Sequence, residues 1–71
     1  MLHLTIDACD VTGLRRRVIG NCGKLVIFMR IQPLAHASKM RVWILLKEQE
    51  FDFVKQEIRS GLPSAEFAQN A

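Results

Sequence analysis

Residues 25–46 read LVIFMRIQPLAHASKMRVWILL, two apolar runs separated by a short break that contains Pro33. Each run has the length of an ordinary strand, and the short break PLAHASK separates them. The segment therefore predicts one antiparallel hairpin, with its turn centred between Ala35 and His36. The rest of the fold depends on how this hairpin presents its side chains.

The position of the turn decides which side chains share a face, because successive residues of a strand point to opposite sides. One predicted face is wholly apolar and pairs Leu25 with Leu46, Ile27 with Ile44, Met29 with Val42 and Ile31 with Met40. The second predicted face is mixed and pairs Val26 with Leu45, Phe28 with Trp43 and Arg30 with Arg41. We expect the apolar face to pack against helices and the mixed face to carry any function.

The flanking segments predict one more strand and two helices. Residues 2–9 alternate between apolar and polar side chains, and residues 10–23 and 49–60 carry apolar side chains at helical spacing. Placing the third strand between the first two gives an antiparallel, three-stranded sheet of order 1-3-2, with both helices on one face. The predicted fold class is α+β, a two-layer sandwich of ferredoxin-like βαββα type. A single domain is expected at residues 1–63 and a flexible tail at residues 64–71.

The first strand is expected to have an open edge. No segment after Pro63 has the composition of a strand, so nothing in the predicted fold pairs with that side of the sheet. Unpaired backbone groups at a sheet edge favour pairing with another chain. A homodimer is therefore expected, through this edge or through the mixed face.

Composition limits the class of protein. A hydrophobic content of 49% with 24% charged residues is typical of a globular domain, and a net charge of +3 is too small to indicate nucleic acid as the partner. Two cysteines cannot form a disulfide-rich scaffold, and the N-terminus does not resemble a signal peptide. We expect a cytoplasmic protein with no membrane-spanning helix.

The segment LTIDACDVTGL at residues 4–14 resembles the start of an ACT domain, in which a first strand leads to an Asp, two variable residues, Gly and Leu. Asp10, Gly13 and Leu14 occupy those three positions. The order of elements through Gly61 is also similar to that of the ACT module, without its last strand. The resemblance implies a regulatory module that pairs with a second copy and binds a small ligand, often an amino acid.

By this resemblance Asp10, Gly13 and Leu14 would lie near a ligand site, where Gly13 permits close approach and the amides of the helix start face a carboxylate. A module of this kind would act on a separate enzyme or another protein partner. The alternative for Asp10 and Gly13 is a helix cap and a turn, which accounts for both residue types without a ligand.

The mixed face allows two functional interpretations. A cluster of four side chains would form the surface for a dimer or another partner: Val26, Phe28, Trp43 and Leu45. Alternatively, the two aromatic rings with Arg30 and Arg41 would bind single-stranded RNA or DNA, since rings stack on bases and guanidinium groups bind phosphate. Asp7 on the same face would repel phosphate, which favours the first interpretation.

The sequence predicts neither catalysis nor a bound metal or cofactor. It contains no nucleophile with a neighbouring base and no glycine-rich phosphate loop. His3 and Cys9 are about 20 Å apart on an extended strand, too far to share an ion. Cys22 lies in the apolar stripe of the first helix, and His36 lies at the predicted hairpin tip.

Overall fold

A computed structural model describes residues 1–35 and 38–68. The strands are β1 (Leu2–Asp7), β2 (Val26–Pro33), β3 (Lys39–Leu46) and β4 (Glu66–Phe67), and the helices are α1 (Val11–Cys22) and α2 (Phe51–Gly61). They follow the chain in the order β1, α1, β2, β3, α2, β4. Short 3-10 turns at Ala8–Asp10 and Glu48–Glu50 lead into the two helices.

The fold is the predicted two-layer α+β sandwich. The four strands form one antiparallel sheet in the order β2-β3-β1-β4, so the predicted order 1-3-2 is present within it. Both helices contribute to the same apolar core as the inner face of the sheet. The core is built from three residues of each of four segments, namely Leu2, Leu4, Ile6, Leu14, Val18, Cys22, Val42, Ile44, Leu46, Val54, Ile58 and Leu62.

The expectation of three strands and an open edge on β1 is wrong. Glu66 and Phe67 form β4, which pairs with Thr5 and Leu4 of β1 and completes a ferredoxin-like βαββαβ order. A backbone hydrogen bond of 2.8 Å from the Ala68 nitrogen to the His3 oxygen extends this pairing. The last three residues of the predicted tail lie outside the described residues, and so does His36.

The register of the hairpin also differs from the prediction. Trp43 lies opposite Arg30 and Leu45 lies opposite Phe28, so the β3 residues from Met40 to Leu45 face β2 residues two positions further along than expected. A shift of two residues leaves most side chains on their predicted faces, because strand side chains alternate with a period of two. Residues 36–37 of the loop between β2 and β3 lie outside the described residues.

A β-bulge between Val26 and Phe28 changes the faces at the start of β2. Val26 lies opposite Leu46 and packs against the core, although the sequence placed it on the mixed face. Ile27, expected in the core, is 68% exposed. The extra residue of a bulge reverses the alternation of side chains, and a bulge is not visible in the apolar pattern.

The helix boundaries are close to those expected. Asp10 occupies the position before α1, but its side chain makes no capping hydrogen bond to the helix. The predicted first strand ends earlier than expected, because Ala8 and Cys9 belong to the 3-10 turn and are exposed. Among the described residues, no helix is long and apolar enough to cross a membrane.

Candidate functional site

The side of the sheet that faces away from the helices is called the outer face here. It carries alternate residues of all four strands, and the register sets them in rows that run across the strands. Its members are Phe28, Arg30, Gln32, Lys39, Arg41, Trp43, Leu45, His3, Thr5, Asp7 and Glu66. Neither helix covers this face, because both helices pack on the opposite side.

The first row of the outer face is apolar. Phe28 lies opposite Leu45, and the two side chains are 52% and 37% exposed. Met1 precedes β1, and extending the register of β1 by one residue sets it beside Leu45. Met1 is 54% exposed, so three large apolar side chains from neighbouring strands are open to solvent in one row.

The second row is centred on Trp43. The His3 ring stacks on the Trp43 ring, with 5.1 Å between ring centroids and 17° between ring planes. The Arg30 guanidinium carbon lies 5.6 Å from the Trp43 centroid. Because β1 and β2 lie on opposite sides of β3, these partners approach Trp43 from opposite sides. Sequence reasoning paired Trp43 with Phe28 and therefore missed this row.

The remaining rows are charged, and the two signs occupy different strands. Lys39 of β3 donates a hydrogen bond of 3.1 Å to the Asp7 carboxylate of β1, and this contact raises the pKa of Lys39. Arg41 of β3 lies opposite Thr5, which lies opposite Glu66 of β4. Over the whole outer face, the positive side chains of Arg30, Lys39 and Arg41 lie on β2 and β3, and the negative ones of Asp7 and Glu66 lie on β1 and β4.

The residues implied by the ACT resemblance occupy three different environments. Leu14 is fully buried in the core. Asp10 accepts a hydrogen bond of 3.4 Å from the Ser64 hydroxyl and a longer one of 3.9 Å from the Cys9 thiol. Gly13 lies at the surface, where it lines a groove between the two helices.

This groove, called the helical groove below, has a volume of about 470 Å³ and lies on the opposite side of the domain from the outer face. Its lining residues come from α1 and from the end of α2: Gly13, Arg16, Arg17, Gly20, Asn21, Gly61 and Leu62. Arg15, Arg16 and Arg17 are consecutive residues of α1. Two of the three line the groove.

Arg17 is held in place at the helical groove. Its Nη1 donates a hydrogen bond of 3.4 Å to the Glu57 backbone oxygen and lies 3.7 Å from Glu57 Oε1. The same Oε1 accepts a hydrogen bond of 2.9 Å from Asn21 Nδ2. The Arg17 guanidinium occupies the space that a Cβ atom at Gly61 would need. Arg16 is exposed and makes no ion pair with any described residue.

The cysteine and histidine side chains give no metal site within the described ranges, where no three His, Cys, Asp or Glu side chains are grouped to hold an ion. Cys9 is exposed and Cys22 is buried. Burial raises the pKa of the Cys22 thiol, and the nearby Glu57 carboxylate raises it further.

Comparison of the chain with known protein families, curated proteins and solved structures finds no match.

Proposed function

We propose that this chain is a non-catalytic interaction module that forms a homodimer through the outer face of its sheet. The observation that carries the proposal is the exposed apolar row of Phe28, Leu45 and Met1. Fully burying one such side chain is worth about 1.5–3 kcal/mol, which is a large fraction of the stability of a small domain. A second copy of the chain can cover the row.

The order of the rows makes the outer face complementary to itself. Consider two outer faces stacked on each other, with a two-fold axis between the two sheets that runs parallel to the strands and midway between β3 and β1. This axis would set each residue of β3 over β1 of the partner copy, and β2 over β4. The apolar row would then meet itself, and so would the row of Trp43. Lys39 would lie over the other copy's Asp7, and uncharged Gln32 of β2 over Glu66. The apolar row meeting itself and the pairing of Lys39 with Asp7 favour a second copy as the partner.

The size of the outer face is compatible with a dimer that dissociates. Strands about 4.8 Å apart with about 3.3 Å per residue give the face an area of roughly 400–500 Å². Two such faces would bury nearly 1,000 Å² in total, at the lower end for a specific interface. Pairing through the edge of β1 has less support, because β4 occupies the middle of that edge.

Regulation is the role that the ACT resemblance adds to this proposal. An ACT-like module would act on an enzyme or another protein partner, and ligand binding would change that interaction. The order β1, α1, β2, β3, α2, β4 supports the likeness of fold. Asp10 and Gly13 remain the positions at which the resemblance proposes a ligand such as an amino acid.

The experiment is a pair of matched substitutions. Phe28 on the outer face and Phe53 on α2 are both 52% exposed, so replacing either by Asp introduces the same charge at the same exposure. Phe28→Asp should weaken dimerisation by about tenfold or more, measured by sedimentation equilibrium over a range of concentrations. Phe53→Asp should leave it unchanged. A wild-type chain that stays monomeric at millimolar concentration would contradict the proposal.

Binding of single-stranded nucleic acid is the second candidate, and exposed Arg30 and Arg41 beside Trp43 are the observation in its favour. Against it, a base could stack on Trp43 only by displacing His3 or Arg30, and Asp7 and Glu66 would repel phosphate. Titration with a short fluorescent oligonucleotide at low salt separates the candidates. Binding that weakens as salt rises, and that Arg41→Gln reduces, would favour the nucleic-acid candidate.

A further inference from the structure

Two glycines in α1 have no role that the fold explains. Gly13 and Gly20 lie inside the helix, seven positions or about two turns apart, and both line the helical groove. A Cβ atom added at either position would meet no other atom within 4 Å. Neither close packing nor an unusual backbone conformation therefore requires glycine there, although glycine disfavours a helix relative to alanine.

The space that these glycines leave is bordered by two guanidinium groups. Arg17 is oriented by Glu57 and by its contact with Gly61, so its position in the groove is set by the fold. Arg16 is free of ion pairs within the described part of the chain. Glu57 offsets the charge of Arg17, which leaves Arg16 as a net positive charge at the groove.

We propose that the helical groove binds a small organic anion, with its carboxylate or phosphate on Arg16 and Arg17 and its carbon skeleton over Gly13 and Gly20. A guanidinium group can donate two parallel hydrogen bonds to either anion. The groove volume of about 470 Å³ lies within the range of small-molecule sites. The glycines let the ligand approach the backbone of α1, and Asn21 offers a further polar side chain.

This site is separate from the proposed dimer surface, because the helical groove and the outer face lie on opposite layers of the domain. Dimerisation through the sheet would leave the groove open to solvent. A monomeric variant such as Phe28→Asp should therefore keep the anion site. Loss of dimerisation and loss of anion binding can be observed independently.

The test uses three probes that share an aromatic ring: benzoate, phenyl phosphate and benzyl alcohol. Each is titrated into ¹⁵N-labelled protein at matched ionic strength, and the amide shifts of Gly13, Gly20 and Gly61 are followed. Saturable shifts with benzoate or phenyl phosphate, and none with benzyl alcohol, support the site and identify the preferred anion. If neither anion shifts these amides more than benzyl alcohol does at tens of millimolar, the proposal is wrong.

Two sets of variants test the proposed contacts. Arg16→Gln should weaken binding of the preferred probe by about tenfold, whereas Arg15→Gln, on the same helix but outside the groove, should not. Gly13→Ala and Gly20→Ala should raise the melting temperature, because alanine favours a helix, and should at the same time weaken probe binding. Glycine variants that gain stability and bind the probes as the wild type does would overturn the proposal.

Discussion

Trp43 shows how one residue can organise the outer face. His3 stacks on its ring from β1, and the Arg30 guanidinium lies near it from β2. These contacts join the three long strands through their side chains. They also make Trp43 a poor platform for a stacked base, because His3 already stacks on the ring and the Arg30 guanidinium lies over it. These contacts therefore count against the nucleic-acid candidate.

The contact between His3 and Trp43 can be measured. Replacing His3 by Ala should lower the free energy of unfolding by about 0.5–1.5 kcal/mol, the range for aromatic pairs. Because Trp43 is the only tryptophan, its fluorescence reports the site directly, and acrylamide should quench it more strongly in the variant. Thr5→Ala, on the same strand and face, is the control. Equal quenching in the His3 variant and the wild type would show that the rings do not stack.

The two cysteines should differ in reactivity. Cys9 is exposed and should react with a thiol reagent at once, whereas buried Cys22 should react only as fast as the chain unfolds. Ellman's reagent, with and without denaturant, measures both rates. Rapid modification of two thiols in the native protein would contradict the burial of Cys22.

Stability should fall as the pH rises above the ordinary Cys value of 9.0. Burial, and then Glu57, raises the pKa of Cys22 in the folded chain, so the folded state keeps a proton that the unfolded chain has lost. The raised pKa of Lys39, whose ordinary value is 10.5, acts in the same direction at still higher pH. Urea unfolding at several pH values should show this decline, and Cys22→Ala should reduce it between pH 9.0 and the folded pKa. Cys9→Ala is the control and should keep the decline.

At the scale of elements, β4 is short but well anchored. Phe67 lies opposite Leu4 and packs against the core, with its ring 4.9 Å from the Arg59 guanidinium carbon and 5.9 Å from Lys55 Nζ. Both cations belong to α2, so β4 connects the edge of the sheet to the second helix. This arrangement covers the part of β1 that the sequence left open.

Phe67→Ala should lower the free energy of unfolding by about 1–2 kcal/mol, since a partly buried aromatic side chain and its cation contacts are lost. Urea denaturation measures the change. Glu66→Ala, at the exposed neighbouring position of β4, should change stability by less than about 0.5 kcal/mol. Equal effects of the two substitutions would mean that Phe67 does not anchor the strand.

The elements that the sequence predicts well are those with a long periodic pattern. The alternation in residues 2–9 and the helical spacing in residues 10–23 lead directly to β1 and α1, although β1 ends at Asp7. The bulge at Ile27 and the two residues of β4 depend on backbone pairing with distant strands. Pairing between distant strands produces no periodic pattern in the local sequence. The bulge and β4 could therefore be found only from the structure.

The candidate sites follow the same division. Phe28, Trp43 and Leu45 lie on the outer face as the alternation predicted, because a register shift of two residues preserves the face. Val26 packs against the core instead, because the bulge reverses the alternation of side chains at the start of β2. The helical groove depends on how α1 and α2 pack, and the only sign of it in the sequence is the spacing of Gly13 and Gly20 on one side of a helix.

At the scale of the whole molecule, the two layers carry different surfaces. The sheet exposes an apolar row beside charges of both signs, and the helices border a groove with an unpaired arginine among the described residues. The proposed self-association on one layer and the proposed ligand binding on the other can therefore coexist. Both layers contact the shared core.

The central claim is that two copies meet through their outer faces. The most direct measurement is an isotope-filtered nuclear Overhauser experiment on a mixture of ¹³C-labelled and unlabelled chains, which detects contacts between copies alone. The proposed two-fold arrangement predicts intermolecular contacts between the Leu45 methyl groups and Met1, and between the Trp43 ring and His3. Intermolecular contacts confined to the helices, or none at millimolar concentration, would contradict it.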